Sequence, residues 1–181
     1  MDINCGDKMT HMVSMSSDDF TLGKKMKEIA KKDDYFAPYV GLDFRGNINT
    51  SVIRTHRGRT IMLQHDISSP RPGIRFNMIS GTKGIAQERP SPPKIATGDE
   101  WLPQEEYNRL EEKYTPEIMK RVGELAKEKG GHGGTDAMVA WRLVDCLRNG
   151  IPMDIDVYDA AMLSSIVPLS EWSVANGSEP V

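Results

Sequence analysis

A chain of 181 residues, 38% hydrophobic and 27% charged, has the make-up of an ordinary globular protein and is long enough for one domain with a sizeable core. A formal charge of -3 argues against a dedicated nucleic-acid surface, which rests on a net basic face. No run approaches the roughly 18 apolar residues of a membrane span, and the N-terminal stretch carrying Asp2, Asp7, Asp18 and Asp19 holds no apolar signal core. The compartment is left open. Cys5 and Cys146 form no CxxC or zinc-spaced set, so neither a disulfide framework nor a structural metal is indicated, and a single bridge between them stays open.

The chain opens on Lys8 to Ser16, which is compatible with a strand that has apolar residues on both faces, Met9, Val13 and Met15 on one and Met12 on the other. That pattern predicts a position interior to a sheet. Asp18 is placed to cap a helix with Phe20, Leu22, Met26, Ile29 and Ala30 between lysines, running to Lys32. Glu28, Asp33 and Asp34 offset those lysines, so the run reads as a solvated face. Residues Asp33 to Gly46 read as a loop.

The β signal follows. Ile48 to His56 and Arg59 to Ile67 flank Arg57-Gly58 as a hairpin, and Ile74 to Ser80 and Ile85 to Glu88 flank Gly81 to Gly84 as another. Short strands and tight turns in this order predict an antiparallel meander. The proline-rich stretch Arg89 to Leu102 reads as a surface connection, and the chain then turns helical: Pro103 to Tyr114, Pro116 to Lys129, a helix ending at Asn149-Gly150, and a last one from Asp154 to Asn176 in which Pro168 predicts a kink or break. The expected class is therefore α+β, a single domain over residues 1–181, strand-rich over 1–90 and helical over 103–176, with an antiparallel sheet covered on one face by helices.

Between the second and third of these helices lies Gly130-Gly131-His132-Gly133-Gly134-Thr135-Asp136. Its glycines strip side chains from the backbone around one imidazole, and a carboxylate follows four residues later in the first turn of a helix. Such an elbow suits close approach of a polar ligand to backbone N–H groups. It reads equally as a C-cap and a tight turn with His132 on the surface. His65-Asp66 is a second imidazole–carboxylate pair, although neighbours on a strand point to opposite faces and cooperate only across a bulge. Arg71, held between Pro70 and Pro72, is placed to offer a guanidinium to a substrate oxygen or to pair with a carboxylate. A metal set drawn from His65, His132 and Asp136 has no zinc spacing behind it, and the methionines read as packing. No G-x-G-x-x-G, P-loop or G-x-S-x-G motif is present.

The elbow, Trp141 to Gly150 and Asp156 to Ala161 together resemble the C-terminal half of glycoside hydrolase family 109, and Asn4 to Asp7, Met12 to Ser17, Gln64-His65-Asp66, Ser69-Pro70-Arg71-Pro72 and Gly81-Thr82-Lys83-Gly84 agree with it in order. The resemblance implies an NAD-dependent α-N-acetylgalactosaminidase on the Gfo/Idh/MocA architecture, in which a Rossmann domain carries NAD and this chain supplies the α+β substrate and oligomerisation domain. The family chemistry it implies is redox-neutral: oxidation of the sugar at C3, elimination across C2 and C1, addition of water and return of the hydride. It implies a sugar partner, a homo-oligomer through the sheet face, no membrane or nucleic-acid partner, and substrate-side positions for His132, Asp136, His65 and Arg71, with no catalytic assignment among them.

Two departures stand out. The family's Thr-His-Gly-Leu-Gly-Pro segment, with its principal catalytic histidine, precedes the part that matches Asn4 to Asp7, and the family's substrate-contacting tyrosine is replaced by Gly73. The isolated chain is therefore expected to bind no NAD and to be catalytically silent. Two further readings stand beside this one, a non-catalytic oligomerisation or carbohydrate-binding module and a sugar-dehydrogenase fragment of the same superfamily.

Overall fold

The structure is a computed structural model that describes residues 2–66, 68–89 and 91–181. It is α+β, and it forms two compact units, Met1–Pro70 with Asp154–Val181, and Arg71–Met153.

In the first unit, β1 (Met9–Ser16), β2 (Ile48–Thr55) and β3 (Thr60–Asp66) make an antiparallel sheet in the order β1-β2-β3. The predicted hairpin forms as expected, with Val52 opposite Met62 and Ile53 opposite Ile61. Ile67, the last residue of the predicted return strand, lies outside the described residues. The alternation of β2 decides what is buried: Ser51, Ile53 and Thr55 point inward beside Met12 and Ser14 of β1, while Val52 and Arg54 face out. Contrary to expectation, β1 is an outer strand of the order. Its other edge is met by the end of the chain, where Met12 and Val181 exchange both backbone hydrogen bonds, at 2.8 and 3.0 Å.

Helix α1 (Leu22–Ala30) is capped by Asp19 rather than Asp18. The Asp19 carboxylate accepts from the N–H groups of Thr21, Leu22 and Gly23, and although burial pushes its pKa up, these bonds and Lys24 hold it below the usual carboxylate value. A 3-10 helix, Asp34–Tyr39, occupies part of the predicted loop. Helix α5 (Val157–Ala175) packs against β1 and begins at a capping box built by Asp156 and Asp159. It runs through Pro168 without a break, so the rest of its 19-residue ladder and its contact with β1 offset a local penalty of about 3 kcal/mol. A buried chain of hydroxyls joins sheet, helix and tail: Ser14 Oγ lies 2.6 Å from Ser51 Oγ, the Ser14 N–H donates to Ser173 Oγ at 3.0 Å, and Ser173 donates to the Glu179 carbonyl at 2.7 Å.

The second unit holds its own antiparallel sheet, β4 (Asn77–Gly81), β5 (Gly84–Glu88) and β6 (Lys94–Ala96). One continuous meander was expected, and two sheets are found. The segment between β3 and β4 carries Pro70 and Pro72, which have no N–H to give a ladder, and β4 pairs instead with β5. Strand β6 falls in the predicted surface connection, too short to show a period. Helices α2 (Gln104–Tyr114), α3 (Glu117–Lys129) and α4 (Thr135–Asn149) follow, and α3 packs on α4 around Val122, Ala126 and Cys146. Cys5 and Cys146 are both free thiols.

Candidate functional site

The elbow joins α3 to α4 through five consecutive residues at positive φ, Gly130 to Gly134, including His132 at 46°. Four of the five are glycines, which adopt positive φ without the strain of a side chain, and two of them have a steric purpose besides. A Cβ on Gly134 would stand 2.7 Å from backbone atoms of Ala126 and Lys127, so its absence lets α4 start against α3. A Cβ on Gly131 would stand 2.8 Å from Asp136 Oδ2, so its absence makes room for that carboxylate.

The room is used. His132 Nδ1 lies 2.8 Å from Asp136 Oδ2, and both side chains are largely exposed, at 84% and 60%. A carboxylate only accepts, so the Nδ1 that meets it carries the proton, and the neutral ring is left with its lone pair on Nε2. The pair can therefore take a proton from a bound hydroxyl while Asp136 holds the ring in place. The sequence expectation that elbow N–H groups await a ligand is narrowed: Gly130 donates to Lys127, and both Gly134 and Asp136 donate to Gly131. What the elbow leaves exposed is the imidazole and its carboxylate.

His65 sits on β3, opposite Asn49 in an unbroken register, so no bulge turns Asp66 toward it. Asp66 Oδ1 instead accepts from the N–H groups of Ser68 and Ser69, at 3.1 and 3.0 Å. The partner of His65 is Arg45, whose Nη1 lies 3.3 Å from its Nδ1. Nothing in the sequence pointed to Arg45, which lies in an irregular segment, and only the folded register brings it to β3. Arg71 is exposed on the irregular stretch before β4. His132, Asp136 and Arg71 belong to the second unit and His65 to the first. Gly73, at the family's tyrosine position, has nothing within 4 Å of where a Cβ would stand, so the backbone there has space for a side chain.

Asp7 organises the N-terminal turn of the first unit. Burial pushes its pKa up, but the N–H of Arg57, the Thr55 hydroxyl, the N–H of Lys8 and the Arg59 guanidinium outweigh that and hold it at about 2. Asn4 in the same turn donates to Asp159 at the start of α5, at 3.0 Å.

The elbow does not fit a dinucleotide. It links helix to helix rather than strand to helix, and the space freed at Gly131 is filled by a carboxylate, which repels phosphate. Among the described residues no group of three or more His, Cys, Asp or Glu is placed to hold a metal ion, and no helix is long and apolar enough to cross a membrane.

Comparison with known proteins leads to a single family. A model of the family described as Glycosyl hydrolase 109, C-terminal domain, matches residues 1–181. A glycosyl hydrolase family 109 protein of Solibacter usitatus (strain Ellin6076) is 49% identical over 181 residues, covering 99% of this chain and 40% of that protein. Family 109 protein 2 of Phocaeicola vulgatus is 40% identical over 185 residues, covering 100% and 44%, and a family 109 protein of Shewanella sp. (strain W3-18-1) is 40% identical over 191 residues, covering 100% and 40%. The chain thus spans about two fifths of the length of these curated relatives. A match of this extent, over every residue of the chain, means that it belongs to the glycosyl hydrolase 109 C-terminal domain family.

Proposed function

We propose that this chain is the substrate-side domain of a glycosidase acting on α-N-acetylgalactosaminides by a redox-neutral oxidation and elimination, with NAD held by a nucleotide-binding domain elsewhere in the full-length protein. The observation that carries the reading is the His132–Asp136 pair, exposed on a glycine elbow within a chain that matches the family domain throughout. In the second unit His132 accepts a proton from a sugar hydroxyl through Nε2, Asp136 orients the ring and stabilises its charged form, and Arg71 offers a donor to a sugar oxygen. In the first unit His65 is a sugar-binding donor in its own right. No dinucleotide step is assigned to residues of this chain. The full-length protein, supplied with NAD, is expected to release the aglycone from an aryl α-N-acetylgalactosaminide, and the 181-residue chain alone is expected to be silent. A full-length protein inert on that substrate overturns the proposal.

A second role is compatible with the first. The outer face of the first sheet carries Val52, Met62 and Met15, each 47% exposed or more, with Val52 and Met62 directly paired. An apolar face of this kind suits a homo-oligomer formed sheet to sheet. Light scattering that shows a monodisperse monomer contradicts it.

A further inference from the structure

The two histidines of the proposed substrate side meet opposite partners, and opposite partners impose opposite tautomers. Asp136 accepts from His132, whereas Arg45 can only donate, because a guanidinium has five N–H groups and no lone pair to offer. The Nδ1 of His65 that receives the Arg45 Nη1 at 3.3 Å must therefore be the bare nitrogen, and the ring proton sits on Nε2.

Two neighbouring acceptor oxygens have donors of their own. Asn49, opposite His65, has its Oδ1 engaged by the Ser51 hydroxyl at 3.3 Å, and Asp66 Oδ1 receives the N–H groups of Ser68 and Ser69. His65 is exposed. We propose that Arg45 is a positioning residue that fixes His65 as an Nε2–H donor, and that this donor binds an acceptor oxygen of a sugar, hydroxyl or N-acetyl carbonyl. The binding half of the proposal rests on the glycosidase reading. The tautomer half stands on the Arg45 contact alone.

The test is a long-range proton–nitrogen correlation spectrum of the 181-residue chain, recorded at a pH where the nitrogen shifts themselves report both rings as neutral. His65 shows a protonated Nε2 and a bare Nδ1, and His132 shows the reverse. Arg45→Ala mixes the two His65 tautomers, and Arg45→Lys, which also supplies a donor, restores the single one. A proton on Nδ1 of His65, or a spectrum unchanged in Arg45→Ala, overturns the assignment. In the full-length protein, His65→Gln places an amide donor near the Nε2 position and keeps KM close to wild type, whereas His65→Asn stops short of it and raises KM about fivefold at unchanged kcat. Equal effects of the two substitutions overturn the donor role. Because the tautomer is read without turnover, its failure is separate from failure of the glycosidase reading, which a full-length protein inert on the aryl glycoside would show.

Discussion

Substituting Gly131 by alanine tests whether the elbow exists to hold Asp136 against His132. Two effects add. Gly131 has φ 77° and ψ 99°, outside the left-handed well that alanine tolerates, which costs about 1–3 kcal/mol. The new methyl would stand 2.8 Å from Asp136 Oδ2 and 2.9 Å from its Cβ, so the carboxylate must swing off His132 Nδ1. Because both partners are exposed, losing their bond adds only about 0.3–0.5 kcal/mol to the destabilisation. Gly130→Ala is the matched control: its φ is 75°, it carries a similar strain, and its Cβ would meet nothing within 4 Å. Thermal melts of the two variants should therefore fall by similar amounts. The nitrogen spectrum of His132 should lose its Nδ1–H signature only in Gly131→Ala, and turnover by the full-length protein should drop about a hundredfold in that variant, the scale of a misplaced catalytic group. A Gly131→Ala protein with His132 still protonated on Nδ1 and with full turnover would refute the reasoning.

Asp7→Asn removes the buried carboxylate that ties Lys8, Arg57 and Arg59 together, and it should lower the melting temperature at neutral pH. The sign of the pH effect follows from a folded-state pKa of about 2 against 3.8: the stabilisation is complete above the unfolded value and is lost as pH falls from about 4 toward 2, so the wild-type melt should decline across that window more steeply than the variant's. Ser173→Ala leaves the buried Ser14 N–H without its acceptor and the Glu179 carbonyl without its donor, and denaturant melts should show a loss of about 1–3 kcal/mol. An unchanged midpoint would mean that water or a shifted tail replaces the hydroxyl.

Local patterns made much of this fold legible. The hairpin turning at Gly58, the helices between Gln104 and Asn149, and the stop at Gly150 each rest on a period or a cap a few residues long. What stayed hidden depends on partners far along the chain. The seat of β1 is completed by Val181, the separation into two sheets turns on which strand β4 selects, and β6 is three residues long. The site divides in the same way. His132 and Asp136 are four residues apart at the start of a helix, so their contact could be anticipated from spacing, although the need for Gly131 to clear space for it could not. His65 was singled out with Asp66, whereas its contact is with Arg45, twenty residues away, because strand alternation sends Asp66 to the following turn.

The central claim is that the imidazole of the elbow takes part in the chemistry of the full-length enzyme. The most direct measurement is kcat/KM of full-length His132→Ala and Asp136→Ala on the aryl α-N-acetylgalactosaminide, with melts confirming that both exposed-site variants remain folded. Removal of a general base should lower kcat/KM of His132→Ala by about a hundredfold or more, with Asp136→Ala also impaired. Wild-type kcat/KM in both variants would remove the elbow from the active site.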